Sequence, residues 1–161
     1  MDLILWRHAE ADELPSLDMP NDALSLADMQ RALTPRGEKQ AMRMAVWLDR
    51  QLPDGTRILS SPAKRCDQTA RSLNRKYRVR AELQPSAKPE QLLELVQWPL
   101  FNMPTLVIGH QPILGMVIAH LLGIQEGECA IKKGAVWWLR SREKLGVRQT
   151  VLVTVQTPEL L

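Results

Sequence analysis

Short apolar runs that stop abruptly at polar residues constrain this chain more than any other feature. Leu3-Ile4-Leu5-Trp6 stops at Arg7-His8, and Thr105-Leu106-Val107-Ile108 stops at Gly109-His110. Four residues are too few for a helix, and a run without polar alternation leaves no face for water. Such runs read as strands covered on both sides, the pattern of a parallel sheet. The residues that follow each strand then stand at the carboxyl edge, where α/β proteins bind ligands.

Helix-start signals recur between the strands. Thr34-Pro35 offers an N-cap followed by proline at the first helical position. Ala41, Met44, Ala45 and Leu48 then form one apolar stripe of a helix ending near Gln51. After the turn at Pro53-Asp54-Gly55, Arg57-Ile58-Leu59-Ser60 reads as a short strand. Ser61-Pro62 is expected to cap a second helix, with Cys66, Thr69, Ala70 and Leu73 inward. A third strand is expected over Arg78–Leu83, and Pro89 opens a short helix with Leu92, Leu93 and Val96 inward. Pro112 starts a helix that runs through Leu122 and stops at Gly123. Ala135–Leu139 and Thr150–Val155 read as closing strands joined by a turn at Gly146. Strands alternating with helices predict an α/β protein: a single three-layer α/β/α domain over residues 1–161, with a mostly parallel central sheet and helices on both faces.

The segment Ala9–Leu33 breaks the rhythm. Pro15, Pro20 and six acids against one base, Arg31, predict an extended loop with one helical turn. Loops of that length are uncommon unless functional. This one leaves directly from Arg7-His8, so it is expected to wall the site there.

Charge and cysteine content narrow the function classes. The net charge is +3, concentrated in residues 57–80, where eight bases face only Asp67. Half of those bases fall on the exposed face of the expected helix, and Tyr77 is the sole aromatic among them. A solvated face with one or two phosphate-binding arginines therefore fits better than nucleic acid. Cys66 and Cys129 are too few for a disulfide framework or a metal cluster, which points to a reduced, cytoplasmic protein. Cys66 belongs to an inner helix stripe, with Arg65 beside it as a group able to lower its pKa. His120, ten residues past His110 and inside a helix, is expected to be structural. No signal peptide and no membrane span are apparent, so no membrane partner is expected.

In a parallel sheet, three strand ends share one edge: Arg7-His8, Ser60-Ser61-Pro62 and Gly109-His110-Gln111-Pro112. Arg65, on the first turn of the second helix, reaches over the same edge. Two histidines, two arginines and helix N-termini suit a tetrahedral dianion, because the planar guanidinium fork donates two bonds at once.

These residues resemble the histidine phosphatase superfamily, and most closely its small phosphohistidine phosphatase branch of the SixA type. Leu5-Trp6-Arg7-His8-Ala9-Glu10-Ala11 is similar to the family's Arg-His-Gly opening, with alanine in place of glycine. Leu33-Thr34-Pro35-Arg36-Gly37 with Gln40-Ala41, and Ser60-Ser61-Pro62 through Arg65, Gln68, Thr69 and Ala70, resemble its next two motifs. Val107-Ile108-Gly109-His110-Gln111-Pro112 resembles its Gly-His-(Asn/Gln)-Pro motif. The likeness runs nearly end to end and implies the phosphoglycerate-mutase-like fold.

What the resemblance implies is phosphatase chemistry without metal or other cofactor. His8 is the implied nucleophile, carrying the phosphoryl group on one ring nitrogen while a hydrogen bond holds the other. Arg7, Arg65 and His110, the last as imidazolium, are implied to hold the equatorial oxygens. Ser61 is expected first as a helix cap and then as a further substrate contact. Larger family members carry a general acid after the third strand. Here that region reads Arg80-Ala81-Glu82-Leu83-Gln84-Pro85-Ser86, and Glu82 and Glu90 are weak candidates, each more readily a surface carboxylate. Imidazole leaves more easily than an alkoxide, so a missing acid fits a phosphohistidine substrate. Only 27 residues separate Lys76 from Pro104, too few to add a capping subdomain, and an open site suits a phosphohistidine presented by a partner protein in a signalling phosphorelay. The alternatives are a general small-molecule phosphomonoesterase of the same fold and a weakly catalytic module that binds phosphoproteins.

Overall fold

The computed structural model describes residues 1–14 and 18–161. Its six strands are β1 (Asp2–Arg7), β2 (Arg57–Ser60), β3 (Arg78–Val79), β4 (Thr105–Gly109), β5 (Val136–Lys144) and β6 (Val147–Gln156). They form one sheet in the order β3-β2-β4-β1-β5-β6. The first four run parallel, whereas β5 lies antiparallel to β1, and β6 antiparallel to β5. The helices are α1 (Asn21–Met29), α2 (Pro35–Gln51), α3 (Lys64–Arg71), α4 (Pro89–Val96) and α5 (Ile113–Leu122).

The apolar runs are buried on both faces because successive side chains serve different layers. Leu3 and Leu5 of β1, with Val107 of β4, pack in one cluster with Leu92, Val96, Val117 and Ile118 of α4 and α5. Ile4 and Trp6, with Leu106 and Ile108, pack in the other with Met44, Leu48, Cys66 and Ala70 of α2 and α3. Helices thus cover both faces of a mostly parallel sheet, as the alternation of elements predicts. Trp6 is fully buried, and its indole N–H donates to Gly134 O at 3.0 Å, so its polar atom carries no desolvation penalty.

Four elements differ from their sequence expectation. The Ala9–Leu33 segment carries the nine-residue helix α1 instead of a single turn. Pro20 precedes it and Asp22 sits in its first turn, both favourable at a helix start. Pro15 lies outside the described residues. Ser61 does not cap α3, whose N-cap is Ala63 without a side-chain hydrogen bond; the Ser61 hydroxyl accepts from Ala63 N at 3.2 Å one step earlier. The third strand is two residues long, because after Arg80 N donates to Ser60 O the chain turns into a 3-10 segment, Ala81–Leu83, that buries Leu83. The closing strands are longer than expected, meeting at a turn where Leu145 (φ 52°) and Gly146 (φ 76°) are both left-handed, the geometry of a tight hairpin.

Register places the site. Arg7 pairs with Gly109 and Ser60 with Ile108, while His8 N donates to Gly109 O and Ser61 N to Ile108 O. Three strand ends separated by up to 102 positions therefore finish level with one another. Between β3 and β4 stand only the 3-10 segment and α4, with no capping subdomain. No helix among the described residues is long and apolar enough to cross a membrane.

Candidate active site

A pocket of about 250 Å³ opens at that edge, with Arg7, His8, Arg65 and His110 in its lining. The sequence brings these four together only through the sheet, and the structure holds them by a specific set of bonds. His8 Nδ1 lies 2.8 Å from Ala9 O; a carbonyl only accepts, so Nδ1 carries the proton and Nε2 keeps its lone pair. Arg65 Nε donates to that Nε2 at 3.3 Å. Burial pushes the His8 pKa down to about 3, with the charges of Arg65 and Arg7 acting in the same direction and the Ala9 bond opposing them.

His110 sits with its ring centroid 5.3 Å from that of His8. Arg65 Nη2 lies 3.3 Å from Nδ1, and a guanidinium only donates, so Nδ1 accepts and Nε2–H points to Ser61 Oγ at 2.7 Å. Ser61 thus acts on the ring of His110 from behind. Burial first, and then the Arg65 charge, push His110 down to about 2. The chain's own groups thus favour the neutral ring, whereas the imidazolium is the expectation for a ring that faces phosphoryl oxygens. Cys66 Sγ lies 3.5 Å from His110 Nε2, and burial raises its thiol to about 12, overriding the opposing effect of Arg65. Cys66 is buried on the inner stripe, as its place in the helix pattern predicts, and there burial outweighs the charge of Arg65.

Arg7 is half-buried; its Nη1 donates to Ile131 O at 2.6 Å, while its buried Nε has no partner among the described residues. Burial alone holds its pKa below the usual value. Glu82 and Glu90 are not at this pocket. Glu82 pairs with Arg80 at 2.7 Å, and Glu90 lines a separate cavity beside His120, which faces outward on α5.

Residues that the motifs did not single out complete the pocket. Asp28, on α1, takes Arg65 Nη2 at 3.1 Å and Arg31 Nη2 at 2.9 Å on its two carboxylate oxygens, and its carbonyl accepts from Arg65 Nη1 at 2.6 Å. Arg31 and Lys133 add two further cations to the lining. The one base in an otherwise acidic segment was the signal for Arg31; nothing in the sequence marked Asp28 or Lys133. Gln40, Gln68 and Thr69, which belong to the quoted motifs, do not line the pocket but hold the segment that follows His8, accepting from Glu10 N at 3.0 Å, Leu33 N at 2.7 Å and Ala9 N at 3.2 Å. Ala9 is buried with Ala11, Leu33 and Ala41 and has no left-handed backbone, so alanine fits where the family motif has glycine. Among the described residues no group of three or more His, Cys, Asp or Glu side chains has the arrangement of a metal site.

A pocket of arginines and histidines at the carboxyl edge of a mostly parallel, helix-covered sheet has the chemistry to hold a tetrahedral oxyanion. The family model of the histidine phosphatase superfamily, branch 1, matches residues 3–88, and the chain belongs to that superfamily. It is a phosphatase whose fold is of the SixA type. The protein histidine phosphatase SixA, solved with tungstate, superposes with a TM-score of 0.75 at 25% identity, covering 99% of both chains. A protein from Agrobacterium tumefaciens assigned as the phosphohistidine phosphatase SixA has a TM-score of 0.76 at 22% identity, covering 98% of this chain and 97% of its own. The phosphoserine phosphatase of Entamoeba histolytica, solved with phosphoserine, shares the fold at a TM-score of 0.68 and 16% identity, covering 99% and 98%. No curated protein sequence matches the chain.

Proposed function

We propose that the protein removes phosphoryl groups from phosphohistidine on a partner protein, by way of a covalent phosphoryl group on His8. The observation that carries this reading is the His8 ring: Nδ1 donates to Ala9 O at 2.8 Å, leaving an unprotonated Nε2 beside the Arg65 guanidinium. Nε2 attacks phosphorus, and the substrate P–N bond breaks with its electron pair on the departing imidazole nitrogen, which takes a proton from water. The positive charge that develops on the His8 ring is stabilised through its Nδ1–H bond to Ala9 O. Arg7 and Arg65 neutralise the equatorial oxygens in place of a metal ion, and an oxygen facing Arg7 Nε supplies the acceptor that this buried donor lacks. Water then attacks the phosphoryl group on His8, releasing phosphate and returning the Nε2 lone pair.

The proton inventory supports the proposed substrate class. Asp28 is the carboxylate that lines the pocket among the described residues, and both its oxygens are engaged by arginines. A carboxylate so held is a poor proton donor, which disfavours alkoxide leaving groups and tolerates imidazole. The open pocket of about 250 Å³ admits a phosphoryl group presented on a protein surface.

A panel of phosphohistidine protein, sugar phosphates and an aryl phosphate, each with wild type and His8→Ala, tests the reading. Label is expected to leave phosphohistidine alone at a useful rate, with a loss of about a thousandfold or more in His8→Ala. An acid-labile, alkali-stable phosphoryl group is expected on the wild-type protein during turnover. Faster release from the sugar phosphates would assign the site to monoesters, and binding without turnover would make it a docking module.

A further inference from the structure

A second cavity, of about 750 Å³, lies on the β3 side of the sheet and shares no lining residue with the His8 pocket. It gathers Arg57, Arg75, Lys76, Arg78 and Arg80, five of the eight bases of the basic stretch, around Tyr77. The sequence suggests a solvated helix face for this stretch, but the cations that line the cavity come from β2, from β3 and from the segments flanking β3. Two of them are neutralised: Arg75 pairs with Asp49 at 2.9 Å and Arg80 with Glu82 at 2.7 Å. Arg57 donates to Thr105 Oγ1 and Val96 O and stacks over Phe101 at 3.6 Å, contacts that fix it without cancelling its charge. Lys76 and Arg78 are exposed and have no ion pair among the described residues. The cavity therefore keeps three uncompensated positive charges.

The backbone there is also incomplete. β3 pairs only with Leu59 and Ser60, so Arg57 and Ile58 of β2 face no strand on the cavity side, and β3 itself ends the sheet. Val79 on that edge is 49% exposed. An uncovered strand edge is a template for an added strand, and natural edges are usually protected. Here the residues that flank the edge are cations, which repel a second copy of this basic chain and attract an acidic one. Tyr77 is a lone ring whose hydroxyl is bonded to Asp67, so the cavity lacks the stacking platforms that single-stranded nucleic acid uses.

We propose that this cleft binds an extended acidic segment of a partner protein, laid along the β2–β3 edge, with Lys76 and Arg78 reading its carboxylates. Main-chain hydrogen bonds supply affinity in such strand addition, and charge supplies selection and a fast encounter. The site is independent of the catalytic assignment, since neither Lys76 nor Arg78 lines the His8 pocket.

Fluorescence anisotropy with a labelled octaglutamate peptide tests it on the intact protein. Wild type is expected to bind the peptide, with affinity falling as salt rises, and Lys76→Glu/Arg78→Glu is expected to bind roughly tenfold or more weakly. Both side chains are exposed, so the double variant should retain the wild-type urea midpoint and unchanged hydrolysis of a small phosphoramidate. A peptide N-methylated at alternate residues should bind more weakly; equal binding would remove strand addition. Tighter binding of an oligothymidylate of the same charge would overturn the peptide assignment in favour of nucleic acid. Absence of peptide binding, or equal binding by the double variant, would overturn the site altogether.

Discussion

One guanidinium serves two buried histidines: Arg65 Nε lies 3.3 Å from His8 Nε2, and its Nη2 3.3 Å from His110 Nδ1. Burial, with the Arg65 charge adding to it, holds both rings neutral, His8 with its pKa lowered to about 3. Unfolded histidine titrates near 6.5, so between the two values the unfolded chain binds protons that the folded chain refuses. The stability these rings permit is fully present above about pH 6.5 and is lost as pH falls toward the folded values, by up to about 1.4 kcal/mol per pH unit for each. The urea midpoint is expected to fall between pH 7 and pH 5, and to fall less in His8→Asn/His110→Asn; an equal fall would assign the acid sensitivity elsewhere. Under the proposed mechanism the same shift makes kcat/KM insensitive to protonation of His8 over that range. A tenfold loss per pH unit beginning near 6.5 would show His8 titrating normally. Asp28 opposes an incoming dianion while it neutralises Arg65. In Asp28→Asn the carbonyl bond to Arg65 Nη1 remains and the charge goes, so inorganic phosphate should bind about fivefold tighter by calorimetry. Weaker phosphate binding would show that the carboxylate positions Arg65 more than it competes.

At the scale of elements, the segment after His8 is held against the N-terminus of α2. Thr34 caps that helix, accepting from Gly37 N at 3.0 Å and donating to Glu10 Oε1 at 3.0 Å. A Cβ at Gly37 would stand 1.9 Å from Glu10 O, so this position requires glycine for close approach and not for a left-handed backbone. Gly37→Ala is expected to destabilise by about 1–3 kcal/mol, the range for forced overpacking, and to lower activity by displacing Ala9 and Glu10. Denaturant unfolding and phosphatase assays measure the two effects. Wild-type stability together with wild-type activity would show that α2 shifts freely relative to the site.

For the whole molecule, the site exists only where β1, β2 and β4 end level, and its histidines are 102 positions apart in the chain. We infer that residues 1–161 unfold as one cooperative unit. Activity, far-UV circular dichroism and tryptophan fluorescence should then share one urea midpoint. Earlier loss of fluorescence change at Trp137 and Trp138, on the antiparallel β5, would instead separate the β5–β6 hairpin from the parallel part.

The amino-acid sequence by itself determined the buried strands β1 and β4, the capped start of α2 at Thr34-Pro35, and which four residues converge at the carboxyl edge. Those features are local: an apolar run, a cap and a strand end each declare themselves within a few residues. Tertiary structure alone decided the rest. Helix α1 has no fully buried residue, and its Asp28 is held by Arg65, 37 positions away, so no local periodicity announces it. The third strand stops where Leu83 finds the core, and Ser61 turns to His110 instead of capping α3. The protonation of His8 and His110 was likewise invisible in the chain, because burial and a shared guanidinium are properties of the assembled edge. Periodicity encodes which residues go inside; only the packed sheet decides which charges meet there.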